Sequence, residues 1–157
     1  MNVICRLALA ASLLAATAAA AQADDPWAAM DWSLAKGANT IKGSAFLRTR
    51  GGEVRTCAGY PVHLLPSSPV TDKWIEEQFG AATGGMRPVK WRPKFGEYDR
   101  ETDCDAQGNF QFGSLPDGRY HVIAQVEWEV ARQRQGGLIA RRLSVSEGQV
   151  RSVTLTD

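Results

Sequence analysis

Residues 104–122 read Cys104-Asp105-Ala106-Gln107-Gly108-Asn109-Phe110-Gln111-Phe112-Gly113-Ser114-Leu115-Pro116-Asp117-Gly118-Arg119-Tyr120-His121-Val122, and this stretch decides the fold. Asp105-Ala106-Gln107-Gly108 has the composition of a hairpin turn, and Pro116-Asp117-Gly118 that of a second tight turn. Between them a strand is expected over 109–115, with Phe110 and Phe112 on one face. After the second turn the longest strand is expected over 119–130, where Tyr120, Val122, Ala124, Val126, Trp128 and Val130 alternate with Arg119, His121, Ile123, Gln125, Glu127 and Glu129. A strand has a period of two, so the first set faces the core and the second faces away from it.

Working outward, most segments have the length and alternation of strands broken by Gly, Pro and Asp. Strands are expected over 40–48, 54–57, 60–65, 138–146 and 150–156, with Gly136-Gly137 closing a polar loop and Glu147-Gly148-Gln149 joining the last two. The exception is residues 67–99, too long for a hairpin loop. Within it, 72–79 reads as about two helical turns, capped by Thr71 or Asp72 and stopped by Gly80, with Trp74, Ile75 and Phe79 as the buried stripe. Pro88 and Pro93 prevent a continuous helix beyond it.

The first 23 residues have the three parts of a secretory signal: Arg6, the apolar run 7–21, and Ala21-Gln22-Ala23 as cleavage site. The run is too short and Ala-rich for a membrane anchor, and Cys5 precedes it, which argues against a lipoprotein. The expected layout is a signal peptide (1–23), a flank (24–39) and a sandwich domain (40–157) in the periplasm or secreted, with no membrane span after cleavage. Removing Arg6 takes Lys+Arg from 18 to 17 against 17 acidic residues. A formal net charge of zero disfavours bulk binding to nucleic acid. Of three cysteines, Cys57 and Cys104 remain in an oxidising compartment, and their pairing would close a loop of roughly 47 residues, a contribution of about 4 kcal/mol.

Asp105-Ala106-Gln107-Gly108-Asn109-Phe110-Gln111-Phe112 followed by Leu115-Pro116-Asp117-Gly118-Arg119-Tyr120-His121-Val122 resembles the D-x-x-G-x-F-x-F and L-P-x-G-x-Y-x-V signature of carboxypeptidase regulatory-like domains. Ile41-Lys42-Gly43-Ser44-Ala45 is similar to that family's first strand, and Ala58-Gly59-Tyr60-Pro61-Val62-His63-Leu64 to its second. The resemblance covers residues 40–157, interrupted by 67–99. It implies a seven-stranded antiparallel transthyretin-like (prealbumin-like) sandwich and an accessory role without catalytic residues. An immunoglobulin-like or fibronectin-like sandwich is the nearest alternative.

Candidate chemistry is sparse. His63 and His121 both fall out of phase with the apolar faces of their strands, and neither is assigned a catalytic or metal role. Transthyretin-like hydrolases share the implied fold, but their Tyr-Arg-Gly-Ser ending is not matched by Thr154-Leu155-Thr156-Asp157. Asp103, Asp105 and Gly108 are part of a calcium-loop pattern that lacks the remaining ligands, so they read as a turn. Tyr120 resembles the tyrosine of a tyrosine corner. Trp27, Met30 and Trp32 read as an aromatic flank packed on the sheet.

The candidate binding surface is Trp74, Arg87, Lys90, Trp91, Arg92, Lys94 and Phe95, where cations interleave with rings that can hold an anionic chain or a sugar. The competing reading is that these rings pin the long segment to the sandwich. No cofactor or metal is expected. The functional expectation is a non-catalytic accessory module that binds a protein or cell-envelope component through its loops. The alternative is a glycan or peptidoglycan binder using Trp74, Trp91 and their cations.

Overall fold

A computed structural model describes residues 25–79 and 91–156. The expected signal peptide, a mature start at Asp24, and the expected roles of Gly80, Arg87, Pro88 and Lys90 lie outside the described residues. Eight strands and one α-helix make up the described chain, in the order β1 (Asn39–Arg48), β2 (Val54–Thr56), β3 (Pro61–Pro66), α1 (Pro69–Phe79), β4 (Arg100–Asp103), β5 (Asn109–Leu115), β6 (Gly118–Val130), β7 (Gln133–Val145) and β8 (Val150–Leu155). Short 3-10 helices at Ala28–Leu34 and Pro93–Glu97 complete it.

The strands form two sheets. In one, β1 pairs antiparallel with β2 and β5 and parallel with β8; the other runs β4-β3-β6-β7, all antiparallel. This is the expected all-β sandwich with a partly helical insertion. It differs in having eight strands rather than seven, and in the parallel pairing of β8 with β1.

The apolar alternation of β6 meets that of β1, β3 and β5 in the main core, where Ile41, Val62, Leu64, Leu115, Tyr120, Val122, Ala124 and Val126 are all buried. The Asp105 turn forms as read: its Oδ1 accepts the backbone N–H of Gln107 (2.9 Å) and of Asn109 (2.8 Å). Gly108 has φ +81°, and a Cβ there would meet Thr56 Cβ at 2.6 Å, so only glycine fits. The Tyr120 hydroxyl donates to the Pro116 carbonyl at 3.0 Å, closing a tyrosine corner. Cys57 and Cys104, each just past the end of its strand, form a disulfide with Cα atoms 5.7 Å apart. The bridge links the β2 sheet to the β4 sheet.

Two boundaries differ from expectation. Helix α1 begins at Pro69, with Ser68 as its cap: Thr71 N–H donates to Ser68 Oγ at 3.2 Å and Ser68 N–H to Thr71 Oγ1 at 2.9 Å. Proline at the first helical position is favourable because its missing donor has no helical partner to lose. The β6–β7 hairpin turns at Ala131-Arg132, not at Gly136-Gly137. Gly136 stays in the strand opposite Glu127, where a Cβ would meet the Val126 carbonyl oxygen at 2.1 Å and the Trp128 ring at 2.8 Å.

The larger difference concerns the face of β6 that points away from the main core. It is covered by the insertion, and Leu65, Trp74, Phe95 and Ile123 form a second buried cluster flanked by Trp27, Val70, Ile75, Phe79, Trp91 and Leu138. His121 is accordingly only 3% exposed. The strand phase is as read from Tyr120 to Trp128, whereas Val130 lies beside the hairpin turn and is 56% exposed instead of facing the core; out of phase with the main core does not mean solvent-exposed here. The N-terminal flank also packs as expected: Met30 is fully buried, Trp32 lies edge-on to Tyr120 at 5.2 Å, and Trp27 tilts against Phe95 at 5.4 Å.

Candidate functional site

The outer face of the β4-β3-β6-β7 sheet carries two rows of cross-strand neighbours. Glu101, His63, Ile123 and Ala140 make one row, and Leu65, His121 and Arg142 the next. α1 and the Pro93–Glu97 helix lie over the apolar middle. A polar group is left on each flank, one around each histidine.

On the β6–β7 side, His121 Nε2 lies 2.5 Å from Asp72 Oδ1, and Ser67 Oγ donates to the same oxygen at 2.7 Å. Burial, ahead of the opposing pull of Asp72, holds the His121 imidazole below its ordinary 6.5. Burial pushes the Asp72 carboxyl up, but hydrogen bonds from His121 and Ser67 outweigh it and hold the group below its ordinary 3.8. A neutral His121 donating Nε2–H to an ionised Asp72 satisfies both directions. Ser67 is bonded to Asp72 and not to the histidine, so the trio lacks the base-to-nucleophile link that acyl transfer requires.

Beside this trio, α1 and β7 flank an open cleft of about 670 Å³. Asp72, Lys73, Glu76, His121 and Arg142 offer donors and acceptors around it, over apolar surface from Ile75 and Ala140. Nothing in the sequence pattern marks this cleft, because its residues come from a helix and a strand some 70 positions apart, as in the contact of Arg142 Nη1 with Asp72 Oδ2 (3.5 Å).

On the β3–β4 side, His63 Nδ1 lies 2.7 Å from Asp99 Oδ2 and 3.5 Å from Glu101 Oε2. Burial lowers the His63 imidazole, but Asp99 and Glu101 outweigh it and hold the group above its ordinary 6.5. The Trp91 ring is tilted against His63 with centroids 4.7 Å apart.

The surface expected from the sequence does not assemble as drawn. Trp74 and Phe95 are 1% and 0% exposed, so they are core residues and have no surface to offer a ligand. Trp91 is half-buried, edge-on to both at 5.3 and 5.7 Å. Arg92 faces Glu77 at 3.5 Å, and Lys94 faces Asp25 at 3.3 Å while lying over the Trp27 ring. Both cations are engaged within the chain. The competing reading of the sequence, in which these rings pin the long segment to the sandwich, is the one the packing over Leu65 and Ile123 follows.

No helix among the described residues is long and apolar enough to cross a membrane. No family model matches the chain, and no curated protein matches it. Among solved structures the chain is similar to PA1324 of Pseudomonas aeruginosa, a candidate carbohydrate-binding protein, at 24% identity and a TM-score of 0.71, over 85% of this chain and 98% of that one. A second match, the dioxygenase domain of a dioxygenase carbohydrate-binding fusion from Streptomyces sp. SirexAA-E, has 14% identity, covers 77% of this chain and 80% of that one, and at a TM-score of 0.35 carries no argument. The similarity to the Pseudomonas protein establishes a shared fold.

Proposed function

We propose that this protein is a non-catalytic, exported binding module that takes a carbohydrate of the cell envelope in the cleft between α1 and β7. The observation that carries this reading is the cleft itself. A sugar presents many hydroxyls that donate and accept at once, and Asp72 and Glu76 accept while Lys73 and Arg142 donate around an apolar floor. The shared fold with a candidate carbohydrate-binding protein supports it. The disulfide fits an oxidising compartment. Membership of the carboxypeptidase regulatory-like family belongs to the same proposal and rests on the turn motifs around Gly108 and Gly118.

The test is binding of the oxidised protein to immobilised envelope polysaccharides, peptidoglycan fragments among them. Lys73→Ala with Glu76→Gln, both on the exposed face of α1 beside the cleft, is expected to weaken retention at least about tenfold, the size of a lost charged hydrogen bond, while leaving the melting temperature unchanged. Retention of no saccharide, or equal retention by the double variant, overturns the reading. A second reading, docking of a protein or other envelope component through the insertion, is favoured by the partly buried Trp91 beside Arg92, which keeps some surface in reach of a partner. Capture of an envelope protein that survives the cleft substitutions and is lost with Trp91→Ala would select it.

A further inference from the structure

We propose that His63, Asp99 and Glu101 bind one divalent transition-metal ion. The inference stands apart from the cleft and its ligand, which lie on the β7 side of the covered face. His63 on β3 is directly opposite Glu101 on the edge strand β4. Asp99 precedes Glu101 by two positions, the spacing that puts alternate residues of an extended chain on the same side. One nitrogen and two carboxylate oxygens thereby converge from ordered backbone, with ligand atoms all within 4.8 Å of one another.

The geometry fits a small ion. Metal–nitrogen and metal–oxygen bonds of about 2.1 Å in a tetrahedral shell set neighbouring ligands about 3.4 Å apart. The two separations from His63 Nδ1 are 2.7 and 3.5 Å and the carboxylate oxygens lie within 4.8 Å of each other, so side-chain shifts of about an ångström bring the three ligands to that spacing, with a solvent molecule as the fourth.

Charge and hydrogen bonding point the same way. The Asp99 side chain is only 9% exposed, and its Oδ1 is buried and accepts no hydrogen bond from any described residue. That oxygen belongs to the carboxylate already facing His63, so a lone pair in the cluster is unused. Two carboxylates face an imidazole that carries at most one positive charge. A divalent ion in place of the proton on Nδ1 neutralises both. One imidazole and two carboxylates suit zinc or manganese rather than copper(I), which favours sulfur. The Trp91 ring against His63 supplies the apolar shell that orients a ligating imidazole and limits water.

The test uses the untagged, oxidised protein, stripped with a chelator, dialysed and titrated with Zn²⁺ by calorimetry, with Co²⁺ absorption bands as the report on coordination. Saturable binding of a single ion per chain is expected, with tetrahedral-type cobalt bands. His63→Ala is expected to abolish it. Glu101→Gln is expected to weaken it at least about tenfold, the scale on which coordination contacts act. Glu101 has a side chain 60% exposed, so this variant keeps the fold if His63→Ala does not. Glu53→Gln, an exposed carboxylate beside β2 on the other sheet, binds as wild type. No saturable binding, or wild-type affinity in Glu101→Gln, overturns the proposal.

Discussion

His121 Nε2 on β6 lies 2.5 Å from Asp72 Oδ1 on α1, a contact across 49 positions that fastens the insertion to the sheet. Replacing His121 by Ala leaves Asp72 without this partner and opens space under α1. A loss of about 1–3 kcal/mol is expected, the scale of an orphaned buried polar group. Urea denaturation of the two proteins at neutral pH measures it. A change below about 0.5 kcal/mol, the range of surface substitutions, would mean that the contact holds nothing together.

The same pair sets a pH dependence. The unfolded chain protonates His121 near 6.5, whereas the folded chain resists because burial holds this imidazole down. Below 6.5 the unfolded state binds more protons at this position, so its contribution to stability is present above that pH and is lost as the pH falls. His63 acts in the opposite sense: raised above 6.5, its contribution is present below that pH and disappears as the pH rises through the folded value. The difference between wild type and His121→Gln isolates the first term. Denaturation at neutral and mildly acidic pH is expected to show the variant losing less stability on acidification; a steeper loss in the variant contradicts the buried neutral histidine.

The sandwich was legible because its signals are local. The Gly108 turn, the alternation from Tyr120 to Val126 and the disulfide each depend on a few residues or on simple counting. The insertion was not legible, since the same rings and cations in 67–99 describe either a binding surface or a lid. What decides is the outer face of β3 and β6, where Leu65 and Ile123 need cover. In a two-layer sandwich that face would be wet, so His121 looked exposed. The cleft and the His63 cluster arise from tertiary pairing between distant segments, which strand phase does not reveal.

Trp74 separates the lid from the binding surface. It is 1% exposed and packs edge-on to Trp91 and Phe95. Trp74→Ala is expected to cost about 3–5 kcal/mol, as for large aromatic truncations in a core. The adjacent exposed Lys73→Ala is expected to stay within about 0.5 kcal/mol. Thermal melts of both suffice, and a mild effect at Trp74 would return that ring to the surface.

The β6–β7 turn is strained by its own sequence. Ala131 and Arg132 have φ of 50° and 66°, a left-handed conformation that L-residues avoid and that Asn-Gly adopts readily in two-residue hairpins. Ala131→Asn combined with Arg132→Gly is therefore expected to raise stability by about 1 kcal/mol. Denaturant midpoints decide it, and a loss of stability would show that the two side chains make contacts worth more than the strain.

Asn39 offers the sharpest test of how the chain ends are tied. Its side chain, fully buried, donates through Nδ2 to the Leu115 carbonyl at 2.9 Å and to Asp117 Oδ1 at 2.8 Å, while its Oδ1 accepts the Gln149 N–H at 2.8 Å. One amide therefore ties the start of β1 to the turns before β6 and β8. Asn39→Ala removes all three bonds, and a cost of about 2–4 kcal/mol is expected from the polar groups left behind. Asn39→Asp keeps the acceptor for Gln149 but puts a second carboxylate where the amide met Asp117. At neutral pH two like charges at hydrogen-bond distance repel, and a shared proton restores a donor between them. The aspartate variant is expected to be at least as unstable as the alanine variant at pH 7 and to recover relative to it as the pH approaches about 4, near the ordinary carboxyl range. Urea denaturation of both variants at the two pH values makes the comparison. A constant difference between them would mean that Asn39 and Asp117 do not meet in the folded protein.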